Sequence, residues 1–492
     1  MLLTRFSRLF LPKNAVPVWG LALLMSVTGA IAQTQQPFGL NRQMMYEDFD
    51  TLVATLHRVS PHIAVKKDLW GYDAFREIGQ LRQQIDTISS DDAFVLLINR
   101  ALTATQDLHT SLMQELPASY QDKAAVCNLY LPLAYIDGHY FLTRSFVQGP
   151  DTLCAGAEII RIENLRPDDY CRRHLCDMYC RYDARRKAFY NTELTSSSEV
   201  VQSGKISLRF AGRPKRTLTL DTRQELRFLY PSQDTLRGVT VQFWQASGTL
   251  YIKCLRMDTK FIPVLQRKIA AYRSAPLQRI ILDFRNNSGG NDVVWQAIYA
   301  AILPKSYSYP LQIDGYYPSF APPEYLGDHE LFLSELHPDT SALLAKYGFY
   351  RYTDETQQII PTDTSLAFRG PVYVIGDDIY SSAGSAFVVA NADPADNIHS
   401  IGRKSDLFLG VGYSPVVFQL PHSGISYRIA PSIEVTQAKT LGDLLHDRYE
   451  TEIPLTLEEV LTRANYRGNT YGAHFLQNFD PLIKAALNDL RQ

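Results

Sequence analysis

Two segments of this chain each combine a short apolar run with a tight polar loop and helix-forming sequence. The first runs from Arg279 to Asn291 (RIILDFRNNSGGN), and the second runs from Val372 to Ser385 (VYVIGDDIYSSAGS). Short continuous apolar runs bounded by loop residues are typical of strands buried in a parallel sheet. The carboxyl ends of such strands meet at one edge of the sheet, so we expect the two loops to lie side by side.

Strand and helix patterns alternate from about residue 239 to residue 440, which predicts an α/β core with a mostly parallel sheet. We expect a helix at about 259–274 and another from about Asn291. Residues 305–368 interrupt the alternation with aromatics and prolines and are predicted to be an insertion over the site. The fold class is therefore multidomain α/β.

The remaining sequence divides into three further regions. Residues 38–107 carry helical apolar stripes such as Phe49, Leu52, Val53 and Leu56, with Asp91 as a candidate cap of a later helix. Residues 108–225 alternate like short strands around one helical piece at about 167–190. Residues 441–492 are predicted to form a C-terminal helical segment.

Composition excludes several classes of protein. The 492 residues are 46% hydrophobic and 20% charged, with a net charge of −2, as in ordinary globular chains. The near-neutral charge and the lack of like-charge runs argue against nucleic acid as a partner. No motif indicates a cofactor, and none is expected.

Residues 1–32 have the pattern of a secretory signal. Basic Arg5, Arg8 and Lys13 precede an apolar run, and small residues at Ala30 and Ala32 provide a cleavage site. The rival interpretation is an uncleaved anchor, but the apolar run is shorter than the roughly 20 residues of a spanning helix. We therefore expect an exported chain, periplasmic or extracellular, with no stable membrane anchor after cleavage. The oligomeric state is left open.

The six cysteines all lie between Cys127 and Cys254. An even number in an exported chain permits disulfides. The spacing of Cys171, Cys176 and Cys180 does not match that of structural zinc sites, so no metal site is predicted. Buried thiols and a disulfide remain the alternatives.

Five motifs in order resemble the tail-specific, or C-terminal processing, serine protease family. They are Asp107-Leu-His-Thr, the PDZ-like run from Gly156 to Asn164, Leu282-Asp-Phe-Arg-Asn-Asn-Ser-Gly-Gly, Ser382-Ala-Gly-Ser and Ala430-Pro-Ser-Ile-Glu-Val. The resemblance implies a crotonase-like α/β core, a helical N-terminal domain and a PDZ-like β module. It also implies a polypeptide substrate, bound in part near Gly156 and Ile159 by strand addition to a sheet edge.

The resemblance implies that Ser382 is the nucleophile. At a helix N-terminus its developing charge would be stabilised, and the Ala383 N–H group and an N–H group of Gly289 or Gly290 would hold the oxyanion. The alternative is that Ser381 or Ser382 merely caps the helix, as serine often does.

The general base departs from the commonest family pattern. A lysine is usual about 25 residues after the nucleophile, but Leu407 stands there and Lys404 comes too early. The resemblance to a histidine-using, tricorn-like branch implies His109 as the base, whose ordinary pKa suits this task. A structural role for His109 remains the alternative, and His399 is a second candidate.

The third member of such a triad is not identified by a motif, although Glu434 and Asp406 are candidates. Ser385 replaces the glutamate of the nucleophile motif. The prediction is thus an exported serine peptidase acting through an acyl-enzyme. A catalytically inactive, peptide-binding relative is the first alternative, and a crotonase-like acyl-CoA enzyme is the second.

Overall fold

The computed structural model describes residues 39–117, 130–148, 151–195, 205–209, 216–219, 227–230, 234–235, 238–308, 313–317, 337–338, 344–353, 358–377, 393, 396–404, 406, 415–435, 438–445 and 449–489. Ser382 and Ala383, the proposed nucleophile and its oxyanion partner, lie outside the described residues, as do Ser381, Ser385, Leu407 and the signal-like residues 1–32. No helix in the described ranges has both the length and the apolarity needed to cross a membrane.

The N-terminal region is helical, as predicted. Its helices are α1 (Arg42–Val59), α2 (Pro61–Trp70), α3 (Ala74–Arg82) and α4 (Asp91–Thr103). The apolar stripe of α1 is buried at Phe49, Leu52 and Leu56. Helix α4 is capped by Ser90, whose Oγ accepts from Ala93 N at 3.2 Å, and not by Asp91. The Asp91 carboxylate instead accepts from Gly39 N at 2.8 Å.

Short strands and one short helix follow. They are β1 (Ser111–Leu112), β2 (Tyr130–Ile136), β3 (His139–Leu142), β4 (Phe146–Gln148), β5 (Asp151–Leu153), β6 (Glu158–Ile162), α5 (Pro167–Arg173), β7 (Arg181–Asp183), β8 (Ala188–Tyr190), β9 (Glu193–Thr195), β10 (Lys205–Arg209), β11 (Arg216–Thr219) and β12 (Arg227–Phe228). Six of them form a sheet in the order β11-β10-β6-β3-β2-β9.

The helix expected at 167–190 is wrong beyond Arg173, because β7 and β8 form an antiparallel hairpin there. Aromatic packing explains the difference. The Trp70 ring lies 5.5 Å from the Tyr182 ring and 5.6 Å from the Phe189 ring, which fixes both hairpin strands against α2.

The α/β core begins with β13 (Val239–Trp244), β14 (Thr249–Cys254), α6 (Ile262–Ala270), β15 (Arg279–Asp283) and α7 (Val293–Ile302). The interval predicted as an insertion contains β16 (Tyr307–Ser308), β17 (Ile313–Tyr316), β18 (His337–Pro338), β19 (Tyr350–Thr353) and β20 (Gln358–Ile359). The core then continues through β21 (Val372–Ile375) and β22 (Ile398–Gly402).

The last strands of the chain pair with strands of both the N-terminal part and the α/β core. The last elements are β23 (Val416–Gln419), β24 (Ser426–Ile429), β25 (Ser432–Glu434), β26 (Thr451–Glu452), α8 (Leu457–Asn465), α9 (Ala473–Asn478) and α10 (Pro481–Asn488). Strand β24 pairs with β1, and β25 pairs with β17. The interval 305–368 therefore contributes a strand to a sheet shared with the end of the core.

The core sheet has the order β13-β14-β15-β21-β22-β26, with β14 to β26 parallel. Alternation along each strand sends Ile280 and Leu282 to the face covered by α6 and α7, and Ile281 to the face covered by α9 and α10. Because β26 follows residue 440, the sheet extends beyond the core boundary expected from sequence.

Candidate active site

The two loops predicted to meet do leave adjacent strands at the same edge of the sheet. Strands β15 and β21 are parallel neighbours, with Asp283 opposite Ile375. Beyond the strands, Phe284 N donates to Ile375 O at 2.9 Å, and Asn286 N donates to Asp377 Oδ1 at 3.3 Å. The diglycine loop and the chain leading to Ser382 therefore start side by side.

Close backbone packing makes Gly290 necessary. Its φ is +136°, and a Cβ atom there would lie 2.3 Å from Met257 O. Two hydrogen bonds hold this approach, from Met257 N to Gly289 O and from Asn291 N to Met257 O, each 2.8 Å long. Any larger residue would displace the loop from its neighbour.

The same pairing decides which glycine can supply an oxyanion donor. Gly289 N already donates to Asn287 Oδ1 at 2.8 Å. Gly290 and Met257 form a parallel β-bridge in which Met257 bonds to Gly289 and Asn291, the two chain neighbours of Gly290. The N–H group of Gly290 itself therefore points away from Met257. Strand β21, whose loop leads to Ser382, lies on the other side of β15 from β14, the strand that leads to Met257. Of the two glycines proposed, Gly290 is thus the one placed to donate.

A buried ionic network supports the base of this loop. Asp283 accepts from Tyr251 Oη at 2.7 Å, from Lys253 Nζ at 3.2 Å and from Arg285 Nη2 at 2.8 Å. Arg285 Nη1 also donates to Asp480 Oδ2 at 2.6 Å. Burial alone would raise the pKa of Asp283, but the Arg285 and Lys253 charges hold it well below its usual range. The Asp and Arg of the first loop motif therefore fix the loop to the sheet and to the start of α10.

His109 lies in a tight turn between α4 and β1. Asp107 organises this turn by accepting from His109 N at 3.1 Å and from Thr110 Oγ1 at 2.6 Å. Thr110 Oγ1 in turn accepts from Ala430 N at 3.3 Å. The first and last of the five sequence motifs thus contact each other, which joins the His109 turn to the end of the catalytic segment.

The environment of His109 favours a neutral ring. Burial lowers the pKa of the His109 imidazole, while the Asp107 carboxylate opposes this shift and the Arg428 guanidinium adds to it. Its Nδ1 atom is buried and makes no hydrogen bond within the described ranges. A neutral imidazole near pH 7 is the form that a general base requires.

The alternative bases occupy structural positions. His399 lies within β22 and is 5% exposed, and its Nδ1 atom is 2.8 Å from Glu450 Oε2. Lys404 Nζ lies 3.5 Å from Glu452 Oε2 on the surface. Both side chains are thus already engaged by a carboxylate close to the edge strand β26.

The two candidates for the third triad member differ in position. Asp406 Oδ2 accepts from Tyr190 Oη at 2.9 Å, which ties it to the β7–β8 hairpin. Glu434 ends β25, the strand that follows directly after Ala430 and therefore after the contact with the His109 turn. The chain path favours Glu434 over Asp406.

The predicted substrate contacts at Gly156 and Ile159 find no support in their positions. Ile159 is 2% exposed, and its strand β6 is paired with both β10 and β3. Gly156 has a φ of +80°, and a Cβ atom there would lie 2.8 Å from Leu461 Cδ2 of α8. At Ile159 an interior strand has no edge to which a peptide can add, and Gly156 packs against α8.

The cysteines of the described ranges are thiols. Cys154, Cys171, Cys176, Cys180 and Cys254 are free, and Cys127 lies outside the description. Burial raises the pKa of the Cys176 thiol to about 12. Of the two alternatives left by the sequence, the structure shows thiols, and burial makes Cys171, Cys180 and Cys254 poor nucleophiles.

Sequence reasoning missed Asn287, Lys66 and Asp480. Lys66 is 2% exposed and lies one turn after the fully buried His62 on α2. A signal was available, because these two polar residues share a helical stripe with Ile63 and Trp70. Asp480 had no comparable signal, since its partner Arg285 is distant in sequence.

Comparison with known proteins supports the interpretation of this site as that of a peptidase. Residues 248–436 match the model described as peptidase family S41, and this segment contains both strand–loop units. The fold and this match define a serine-type peptidase. The match of this segment to peptidase family S41 confirms the resemblance to tail-specific proteases.

Solved structures share the fold at low sequence identity. Mature CPAF complexed with lactacystin gives a TM-score of 0.55 at 12% identity, over 90% of this chain and 98% of that chain. Mature CPAF alone gives the same values. The photosystem II D1 C-terminal processing protease gives a TM-score of 0.41 at 14% identity, over 87% of this chain and 98% of that chain. No curated protein sequence matches the chain.

Proposed function

We propose that this chain is an exported serine peptidase that cleaves polypeptides through an acyl-enzyme at Ser382. The observation that carries the proposal is the orientation of Gly290. Its N–H group is turned away from Met257, and β21, the strand that leads to Ser382, lies on the other side of β15 from the strand that leads to Met257. A preorganised backbone donor beside a serine-bearing loop is what stabilises a tetrahedral oxyanion.

The proposed reaction has two halves. Ser382 Oγ bonds to the scissile carbonyl carbon as its proton passes to His109, and the N–H groups of Gly290 and Ala383 bind the oxyanion. The C–N bond then breaks, and the amine leaves with the proton from His109. Water, deprotonated by His109, releases the acyl group and restores Ser382. Glu434 is proposed to orient the imidazole.

Export rests on the signal-like residues 1–32, and the periplasm or the medium is the proposed location. The crotonase-like core and the PDZ-like module also remain proposals. The helices and parallel strands of the core support the first, and the antiparallel sheet around β6 supports the second. The proposed substrate is an extended polypeptide.

Hydrolysis of a loosely folded protein tests the proposal. Purified chain beginning at Gln33 should degrade casein, and Ser382→Ala and His109→Asn should each lower kcat/KM by about 10³-fold or more. The neighbouring Ser381→Ala and the exposed His139→Asn are the matched controls and should retain activity. Stable binding of casein without cleavage by the parent would instead identify a peptide-binding relative. Full activity of Ser382→Ala would overturn the assignment of the nucleophile.

A further inference from the structure

Three ionisable side chains are buried beneath the His109 turn. His62, Lys66 and Asp107 are 0%, 2% and 3% exposed. Removing a charged group from water costs several kcal/mol unless other groups compensate it. Two of these residues come from α2, and the third belongs to the turn itself. Their burial next to a candidate base therefore calls for an explanation.

Lys66 contacts the backbone immediately before Asp107. Its Nζ atom donates to Gln106 O at 2.7 Å and to Thr105 O at 3.4 Å. The Gln106 side chain extends the same fixation, because its Nε2 atom donates to Leu175 O at 2.6 Å and its Oε1 atom accepts from Cys180 N at 2.7 Å. The chain entering the turn is thus held from two sides.

The charges of this cluster have a definite state at neutral pH. Burial lowers the pKa of His62 to about 4, so His62 is neutral. Burial also lowers the pKa of Lys66 to about 8, against the attraction of Asp107, and the amine stays mostly charged. Burial alone would raise the pKa of Asp107, but His62 and Lys66 hold it at about 2. With His62 neutral, Lys66 provides the positive charge.

We infer that Lys66 and Asp107 are positioning residues that fix the His109 turn and set the proton affinity of its ring through opposite charges. The inference rests on the proposed role of His109 as the base. Asp107 binds the backbone of His109 and the Thr110 hydroxyl, and so it acts on the ring through space. A negative charge nearby favours the imidazolium, and a positive charge disfavours it.

Other groups face the ring from the surrounding elements. Arg428 on β24 disfavours the imidazolium, as Lys66 does from α2. Tyr179 Oη donates to Thr110 O at 3.0 Å and brings no charge. Arg428 Nε donates to Ser111 Oγ at 2.9 Å, which holds this second cation next to the end of the turn. Asp107 is thus balanced by cations from two different elements.

Titration of His109 in the full mature chain tests the inference without requiring activity. Histidine is isotopically labelled, and the His109 NMR signal is identified by its loss in His109→Asn. Lys66→Met should move the His109 midpoint to higher pH, and Asp107→Asn should move it to lower pH. Lys67→Met is the matched control, since Lys67 lies on the same helix but is exposed and pairs with Asp73; it should leave the midpoint unchanged.

The acid limb of the pH profile of kcat/KM should shift in the same directions as the titration midpoint of His109. The ratio of activity at pH 6 to that at pH 8 should fall at least about twofold in Lys66→Met and rise in Asp107→Asn, since a tenfold change in proton affinity is one pKa unit. A merely structural role would lower kcat without opposite movements of the limb. Should Lys66→Met fail to fold, Arg428→Met removes a cation from the other side and should also move the limb to higher pH.

Different results would exclude His109 as the base and Lys66 and Asp107 as positioning residues. Retained activity in His109→Asn would remove the proposed base, while the NMR titration would still report the effect of Lys66. If His109→Asn is inactive but both charge variants leave the midpoint unchanged, or move it in the same direction, the inference is overturned.

Discussion

The two buried charge clusters flank the same candidate site but are built differently. In the cluster at the end of β15, the charges of Asp283, Arg285 and Asp480 meet each other directly, as in the 2.6 Å contact between Arg285 Nη1 and Asp480 Oδ2. Beneath His109, Lys66 instead donates to carbonyl oxygens, and His62 is neutral. Directly paired charges restrain a loop over a wide pH range, whereas the second cluster changes its charge close to neutral pH.

Removal of one partner from the directly paired cluster should have the largest effect. Asp480 is fully buried and receives bonds from Arg285 and Arg463. Asp480→Ala should lower the free energy of unfolding by about 3–5 kcal/mol, because Arg285 keeps its charge in a buried site without this partner. Urea unfolding at pH 7 measures the loss.

The control is an exposed pair of similar geometry, Arg82 and Asp50, at 2.6 Å. Asp50→Ala should cost at most about 1 kcal/mol, because solvent screens that pair. Equal losses in Asp480→Ala and Asp50→Ala would show that the buried network does not restrain the fold as described.

The second cluster should make stability depend on mildly acid pH. His62 has a pKa of about 4 when folded and an ordinary value of 6.5, so the unfolded chain binds the extra proton between these values. Stability should fall as pH drops from 6.5 to 4, by about 3 kcal/mol from this group alone. Asp107, with a pKa of about 2 against 3.8, continues the loss at lower pH.

Denaturant unfolding of the parent and of His62→Gln at several pH values checks this expectation. The difference in the free energy of unfolding between the parent and His62→Gln should become smaller as the pH falls from 6.5 to 4. His139→Gln, which changes an exposed ring, should run parallel to the parent. A constant difference between His62→Gln and the parent across this window would contradict a neutral, buried His62.

A smaller effect is expected at the diglycine loop that the first cluster supports. Gly290→Ala forces a Cβ atom toward Met257 O and should cost about 1–3 kcal/mol of stability while also displacing the proposed oxyanion donor. Gly71→Ala is the matched control, with a φ of +62° and no atom within 4 Å of an added Cβ. Thermal unfolding and kcat measured together separate the two consequences. An unchanged kcat in Gly290→Ala would show that the Gly290 N–H group does not stabilise the oxyanion.

Much of the core was predictable because its signals are local. The apolar runs at Ile280 and Val372 gave the strands, and the polar loops after them gave the shared edge of the sheet. The contact between Thr110 and Ala430, by contrast, joins two motifs that are distant in sequence, and only the family resemblance indicated that both belong to one site. The positions of Ser382 and Ala383 remain predictions.

The errors have identifiable physical causes. The helix expected up to residue 190 gave way to a hairpin because Tyr182 and Phe189 pack on Trp70, a tertiary contact that no local pattern reveals. The contact of Ile159 with substrate stays a prediction, and strand addition there lacks a free edge because β6 pairs with both β10 and β3. Lys66 was overlooked because lysine is rarely buried without a specific reason.

The proposed mechanism requires that a single hydroxyl, that of Ser382, is activated beside the Gly290 amide. A fluorophosphonate probe that forms a stable adduct with activated serines, followed by mass spectrometric mapping of the mature chain, tests it most directly. We predict one adduct per chain, located on Ser382, that is lost in Ser382→Ala and strongly slowed in His109→Asn. An intact, folded chain that takes up no probe, or takes it up at another serine, would contradict the account.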